Sequence, residues 1–435
     1  MDNENDPGLK KGLCNFPLSI VNYPLNMRIL LLTPWVPFPV TGACQQDRFF
    51  GMQQMKSLGY DIQVVAKIHD FQPRPQVEEA FRSAQIPLTL VPHLRHPWAL
   101  LLKKLPAIIR NPGLLDGAAL EYLDPEYLKT VTSAITNFKP DVLWIEYCTH
   151  WPLLKILKPY DIPTIVKSSL NEPRNCIDEH GGSLLSHIKA LPKYVGERTV
   201  ARNADLVLAI SPDEEQWYRS LGAKKTGVLP LRGLAQCFVK KNHEPKVVLD
   251  VVFLSSNYNM GHNRDAFFFL LSKILPQVRT TLAGRVRFHL TGSKFPEQWK
   301  KFLADDLRHT GFVPDIGKFL ATMDAALCPW ISGQGMQQKV FEPLCRSLPL
   351  LTTKTAGYPF ENGKEVLLCK TPEEYVAGLA LLLDHRHRNE IASAAFAKAR
   401  SLFSEEAVKK IMKEAVESVE ENYTDPQLRE AEQKS

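Results

Sequence analysis

The sequence of 435 residues contains no CxxC pair and no Cys/His spacing suited to a metal. Its eight cysteines stand apart at positions 14, 44, 148, 176, 237, 328, 345 and 369. That pattern points away from a disulfide framework or zinc site and toward buried free thiols in a reducing compartment. No Asp-x-Asp pair is present to hold a divalent cation, so no metal is expected. No apolar run reaches the roughly 20 residues of a membrane span; the best, 29–40, is broken by Pro34, Pro37 and Pro39. Residues 1–26 lack the basic start and apolar core of a signal peptide. "MRILLLTPW" then opens like a fresh start, so 1–26 is expected to be a poorly ordered extension or the product of an upstream start codon. The chain is expected in the cytoplasm. Neither a P-loop nor a complete GxGxxG follows a strand, which withdraws the main support for hydride transfer. No aromatic groove interleaves with the basic residues, so nucleic acid is not an expected partner.

What is present is ordinary core material, 44% apolar with 23% charged residues. The length suits two or three domains at roughly 150 residues each. The net charge of +6 fits a partner bearing phosphates, whether nucleotide, membrane surface or anionic glycan. From Met27 continuous apolar strands alternate with amphipathic stretches: 28–33, 61–66, 88–91, 142–145, 164–167 and 206–210, with helices such as 45–58 and 123–138 between. Such strands imply a parallel sheet covered on both faces. The pattern restarts near Val247 with "KVVLDVVFLSS", "RVRFHLTGS", "DAALCPW", "LPLLTT" and "EVLLC". Residues 230–245 read as a hinge, and the chain from 372 onward as helices. The expected fold is α/β, two doubly wound domains facing across a cleft, with ligands beyond the carboxyl ends of the strands.

The stretch "WISGQGMQQKVFEPLCRSLPLLTT", 330–353, sits in such a place. Gly333 and Gly335 let the backbone approach an anion, and the following helix start aims free N–H groups at it. Lys339 is placed to contact a phosphate oxygen, and Glu342, one turn on, to accept from paired hydroxyls of a ribose. The competing reading is an exposed i,i+3 ion pair.

"TGFVPDIGKFLATMDAALCPWISGQGMQQKVFEPLCRSLPLLTT" resembles the donor half of GT-B glycosyltransferases, in particular the retaining group called family 4, or glycosyl transferases group 1. "FLSSNYNMGHNRDAFFFLL", "ERTVARNADLVLAISPDE" and "RILLLTPWVPFPVTGACQQD" resemble other parts of it, so the likeness runs from Met27 to about Leu402. It implies a GT-B fold of two Rossmann-like domains: an acceptor domain at 27–235, a donor domain at 236–402, and a C-terminal helix and tail at 403–435. It further implies a nucleotide-sugar substrate with no separate cofactor. Catalytic roles would fall to Lys339, Glu342 and His150. Ser256, Asn263, Gly292, Gly311, Phe312, Val313, Gly333, Gln334, Gly335 and Met336 would complete the donor site. Where many members carry a second glutamate, this chain has Gln334; Pro343 replaces a more usual alanine, and the first loop has Gly42-Ala43 in place of two glycines. These departures keep open a catalytically silent nucleotide-sugar binding protein, beside a nucleotide-sugar epimerase on the same fold.

On the acceptor side, Gly42 matches a ligand-contacting glycine of the family. "DVLWIEYCTHWPLL" sets Glu146 and His150 just after a strand, facing the cleft. His150 is either a group orienting or deprotonating the acceptor hydroxyl or a locally bonded histidine at a helix start. Asn171, Glu172 and Arg174 in "SSLNEPRN" are either acceptor contacts or turn chemistry with a surface charge. Residues 93–112, "HLRHPWALLLKKLPAIIRNP", lie in a span (80–115) without Asp or Glu. They suit peripheral contact with an anionic membrane, as for a lipid-linked acceptor, or a plain surface helix.

Overall fold

A computed structural model describes residues 27–93, 102, 105–329 and 335–424. The expectations for residues 1–26, for Gly333 and Gln334, and for most of the basic stretch 94–104 fall outside the described residues.

Two parallel sheets form. The first has seven strands: β1 (Arg28–Trp35), β2 (Asp61–Ile68), β3 (Leu88–Pro92), β4 (Val142–Glu146), β5 (Thr164–Lys167), β6 (Leu206–Ala209) and β7 (Thr226–Val228), in the order β3-β2-β1-β4-β5-β6-β7. The second has six: β8 (Leu249–Phe253), β9 (Val286–Thr291), β10 (Leu307–Gly311), β11 (Ala325–Cys328), β12 (Leu350–Thr352) and β13 (Leu367–Leu368), in the order β10-β9-β8-β11-β12-β13. The strand order reverses between β1 and β4 and again between β8 and β11, where Leu30 pairs with Leu143 and Ala326 with Val252. In such sheets the crevice for a ligand opens at this reversal, beyond the carboxyl ends of the strands.

The helices that frame the two crevices are α1 (Ala43–Ser57), α2 (Glu172–Glu179), α3 (Leu184–Asn203) and α4 (Pro212–Ser220) in the first half, then α5 (Gly261–Phe269) and α6 (Gln338–Cys345) in the second. Side-chain caps start several of them: Asn171 accepts from the Arg174 amide and Ser211 from the Glu214 amide. Each sheet is covered on both faces, which is why its strands read as unbroken apolar runs. Of the seven cysteines among the described residues, all are free and six are buried.

The last helix, α7 (Glu405–Thr424), returns to the first half. Val408, Met412, Ala415, Val416 and Val419 recur at helical spacing and pack with Ile29 and Leu31 of β1 and with Leu206 and Leu208 of β6. Chain segments from the far end thus tie the two halves together, and Lys225 reinforces the join by donating to the Ser418 carbonyl at 3.0 Å.

Candidate active site

The segment after β11 leads through Gly335 and Met336 into α6, so Lys339 emerges at the reversal point of the second sheet. Its ammonium donates to Asn263 Oδ1 at 2.7 Å. Asn263 is buried near the start of α5, fixed by its own bond to the Asn257 carbonyl at 2.8 Å. Among the described residues no carboxylate pairs with Lys339, and burial lowers its pKa from the ordinary lysine value. The same surroundings depress His262: burial first, then the Lys339 charge, bring it down to about 4. A desolvated cation held by a neutral amide beside a neutral imidazole is a setting that gains from an anion.

Glu342 does not pair with Lys339. It is 5% exposed, its Oε2 accepts from Gln338 Nε2 at 3.0 Å, and its Oε1 from Arg346 Nε at 3.0 Å. The i,i+3 ion pair is therefore not formed; the two charges have separate partners. Arg346 Nη2 also stands 2.9 Å from Oε1, so a further donor would be met at Oε2. Gln338 Nε2 also reaches Gln46 Oε1 on α1 at 2.8 Å, a direct bond between the halves.

The other expected donor residues lie in the loops after β8, β9 and β10 and in the turn before α6. Gly292, just past β9, has φ +112°, and a Cβ there would lie 2.7 Å from the Ser255 carbonyl oxygen, so only glycine fits. Its amide donates to the Gly311 carbonyl at 2.8 Å, joining the loops after β9 and β10. Ser256 is exposed in the loop after β8 and its carbonyl accepts from Ser293, while Met336 packs partly into the core under α6. Phe312 is 65% exposed and Val313 half-buried, just past the carboxyl end of β10.

The first half requires corrections. Glu146 was expected to face the cleft, but it has no exposed surface. Its oxygens accept from Trp144 Nε1 at 2.9 Å and from both terminal nitrogens of Arg232 at 2.7 and 3.0 Å. His150 is equally enclosed: its Nε2 meets the Tyr127 hydroxyl at 3.0 Å and its ring stacks on Tyr122 at 4.0 Å. Burial brings its pKa down to about 3. The local reading of this histidine is the one the geometry favours, since no atom of it faces the cleft. Asn171 caps α2, and Glu172 accepts from Lys193 Nζ of α3 at 3.2 Å, so the first starts its helix and the second ties that helix to the next. Arg174 is exposed and Gly42 forms the N-cap of α1, whose first turn has no acidic side chain.

Sequence reasoning missed the buried charges beneath the cleft. Arg232, taken as part of a hinge, is fully buried and binds Asp47 of α1 through its amide at 2.7 Å and Nη2 at 2.8 Å, besides Glu146. Lys167, at the end of β5, adds an ion pair to Asp47 at 3.1 Å. Burial pushes the Asp47 carboxyl up, but Arg232 and Lys167 outweigh it and hold it well below the usual range. Two cations thus balance two carboxylates at the first sheet's reversal point. The available signal was faint: Asp47 lies in the second turn of α1 and Glu146 at the end of β4, but nothing in the linear pattern marks Arg232 as their partner.

Among the described residues no group of His, Cys, Asp and Glu gathers as metal ligands, and no helix is long and apolar enough to cross a membrane. Two wound parallel sheets, with Lys339 at the reversal point of the second, define a GT-B architecture. The family described as Glycosyl transferases group 1 matches residues 249–385, and the Glycosyl transferase 4-like domain matches 52–232. The two matches together span both wound halves, so each half of the chain carries a glycosyltransferase domain. No curated protein matches its sequence significantly. Similar solved structures include HepE of Anabaena, in complex with UDP, at 15% identity and a TM-score of 0.61, covering 90% of this chain and 100% of that one. Sucrose-phosphate synthase of Thermosynechococcus elongatus aligns at 12% identity and a TM-score of 0.64, covering 89% and 98%. TarM of S. aureus, solved with UDP and α-GlcNAc-glycerol, aligns at 11% identity and a TM-score of 0.60, covering 90% and 99%.

Proposed function

We propose that this glycosyltransferase moves a sugar from a nucleoside diphosphate donor to a glycan or lipid-linked acceptor, with retention at the anomeric carbon and without a metal. The observation that carries the reading is the half-buried ammonium of Lys339, bonded to Asn263 and without a carboxylate partner among the described residues, at the reversal point of the second sheet. As the sugar–phosphate bond breaks, negative charge grows on the diphosphate. Lys339 and the amides opening α6 stabilise it; preorganised donors of this type contribute about 2.7–4 kcal/mol each. Glu342 holds the ribose, and Phe312 lies beside the base. The departing phosphate oxygen takes the acceptor proton, so no protein nucleophile is required. HepE was solved with UDP-glucose and TarM with UDP, which supports a nucleotide-sugar donor here.

The test is incubation with UDP-, GDP- and ADP-sugars, with and without a chelator, following free nucleoside diphosphate and the anomeric signal of the product. Transfer with retained configuration in chelator supports the reading. Binding without turnover favours a silent binding protein, and interconversion of free nucleotide sugars favours an epimerase.

Exposed apolar side chains favour a lipid-linked acceptor approached from the cytoplasmic face of a membrane. In the part of 93–112 that is described, Leu102, Leu105 and Ile109 are exposed. Leu184, Leu185, Ile188 and Leu191 of α3 are likewise exposed, beside Lys189. Leucines flanked by basic residues suit the headgroup boundary of an anionic bilayer.

A further inference from the structure

Ser211 and Glu214 have the spacing of a capping box, in which each side chain bonds the other residue's backbone amide. Only one half forms. Ser211 Oγ accepts from the Glu214 amide at 3.4 Å, whereas neither Glu214 oxygen has a hydrogen-bond partner within 3.5 Å among the described residues, although the residue is 4% exposed. Burial raises the carboxyl to about 7, against the pull of the Ile210 and Asn171 backbone and of the Lys167 charge.

This buried carboxylate meets the other half of the molecule. Gly335 has φ +76°, and a Cβ there would lie 3.3 Å from Glu214 Oε1 and 3.3 Å from the Ser169 carbonyl oxygen. Gly335 stands four residues before Lys339, in the turn expected to form part of the donor site. The residue before it, Gln334, brings no charge. A buried carboxylate short of close donors is costly, and a ligand presenting hydroxyls at this turn would reduce that cost. Neighbouring hydroxyls of a sugar ring present two O–H donors, and the two oxygens of a carboxylate accept both.

We propose that Glu214 recognises the transferred sugar, accepting its ring hydroxyls at the Gly335 turn, so that the acceptor domain supplies part of the donor site. The inference rests on the nucleotide-sugar reading above. It also makes the sugar a bridge: bound on the second half by its diphosphate, it is gripped on the first half by Glu214, and closure of the cleft then depends on which sugar is attached.

The test is calorimetry on the full chain with matched pairs, UDP and UDP-glucose, GDP and GDP-mannose, ADP and ADP-glucose, for wild type, Glu214→Gln and Glu214→Ala. For the pair that wild type binds, both variants keep their affinity for the bare nucleoside diphosphate. Glu214→Ala weakens the nucleotide sugar by about tenfold or more, the scale of a hydrogen bond to a charged group. In wild type the extra affinity from the sugar changes as pH crosses about 7, and in Glu214→Gln it does not. Equal losses for both members, or a loss for neither, overturn the proposal. So does a fall in the thermal midpoint of the variants at pH above about 8, where removing a buried unpaired charge should leave the fold at least as stable. If wild type binds none of the six compounds, the nucleotide-sugar reading falls and the role of Glu214 with it. That outcome is distinct from variants that match a binding wild type.

Discussion

Lys339 and Asn263 are joined by a 2.7 Å hydrogen bond that spans the reversal point of the second sheet, tying the start of α6 to the start of α5. The bond fixes the ammonium without neutralising it. Its charge remains available to a phosphate, and its direction is set before any ligand arrives.

Lys339→Ala is expected to lower kcat by about 10²–10³ while raising the donor KM far less, because the lost contact strengthens as the diphosphate departs. Steady-state kinetics with saturating donor checks this. A pure rise in KM would confine Lys339 to binding the ground state.

Glu342→Ala is expected to weaken nucleoside diphosphate binding by about 1.5–3 kcal/mol, the range of a hydrogen bond to a charged group. Calorimetry reads it directly. Unchanged affinity for UDP, GDP and ADP would leave Glu342 as a partner of Gln338 and Arg346 alone.

Arg232→Met leaves Asp47 and Glu146 facing each other through a buried site with only Lys167 beside them. Breaking such a buried pair from one side costs about 3–5 kcal/mol. Chemical unfolding measures the loss. In wild type, the depressed Asp47 carboxyl contributes stability above the ordinary carboxylate range and loses it as pH falls below that range. The Arg232→Met protein should show a shallower acid limb.

His150 titrates at about 3 in the folded chain, against an ordinary value of 6.5. The unfolded state therefore takes up the proton first, and stability declines as pH falls from 6.5 toward 3. At pH 5 this residue alone accounts for about 2 kcal/mol of that decline. Thermal midpoints of wild type and His150→Gln at pH 7.5 and about pH 5 test the point: the variant should lose less on acidification. Its turnover, measured where both are folded, should stay within about tenfold of wild type, since general-base groups contribute about 10²–10⁴.

Leu184→Asp with Ile188→Asp places charge on the exposed face of α3. Binding to vesicles of mixed anionic and neutral lipid should fall by about tenfold or more, because central acidic residues cost about 2.5–3.5 kcal/mol each even by the milder insertion scales. Vesicle co-sedimentation reads it, and equal binding by wild type and variant would remove α3 from any membrane contact.

Much of this molecule was legible in its linear order. Unbroken apolar strands separated by amphipathic helices dictated two wound parallel sheets, since a strand buried on both faces has no polar alternation. Thr164–Lys167 was placed to the residue, and most other strands to within two or three. The short edge strand β7 and the polar β10 were not recognised, because Thr226–Val228 and Leu307–Gly311 lack a sustained apolar run. The glycine turn and the Lys339–Glu342 spacing were visible because a local loop and one helical turn bring those groups together within a few residues. What only the tertiary structure decided was which charges meet across sequence distance. Arg232 finds Asp47 and Glu146, α7 folds back over β1, Glu214 comes up against Gly335, and His150 turns inward to Tyr127 rather than outward to the cleft. Periodicity reports which face of an element is buried, but not what lies opposite it; that depends on strand order and on the packing of one half against the other.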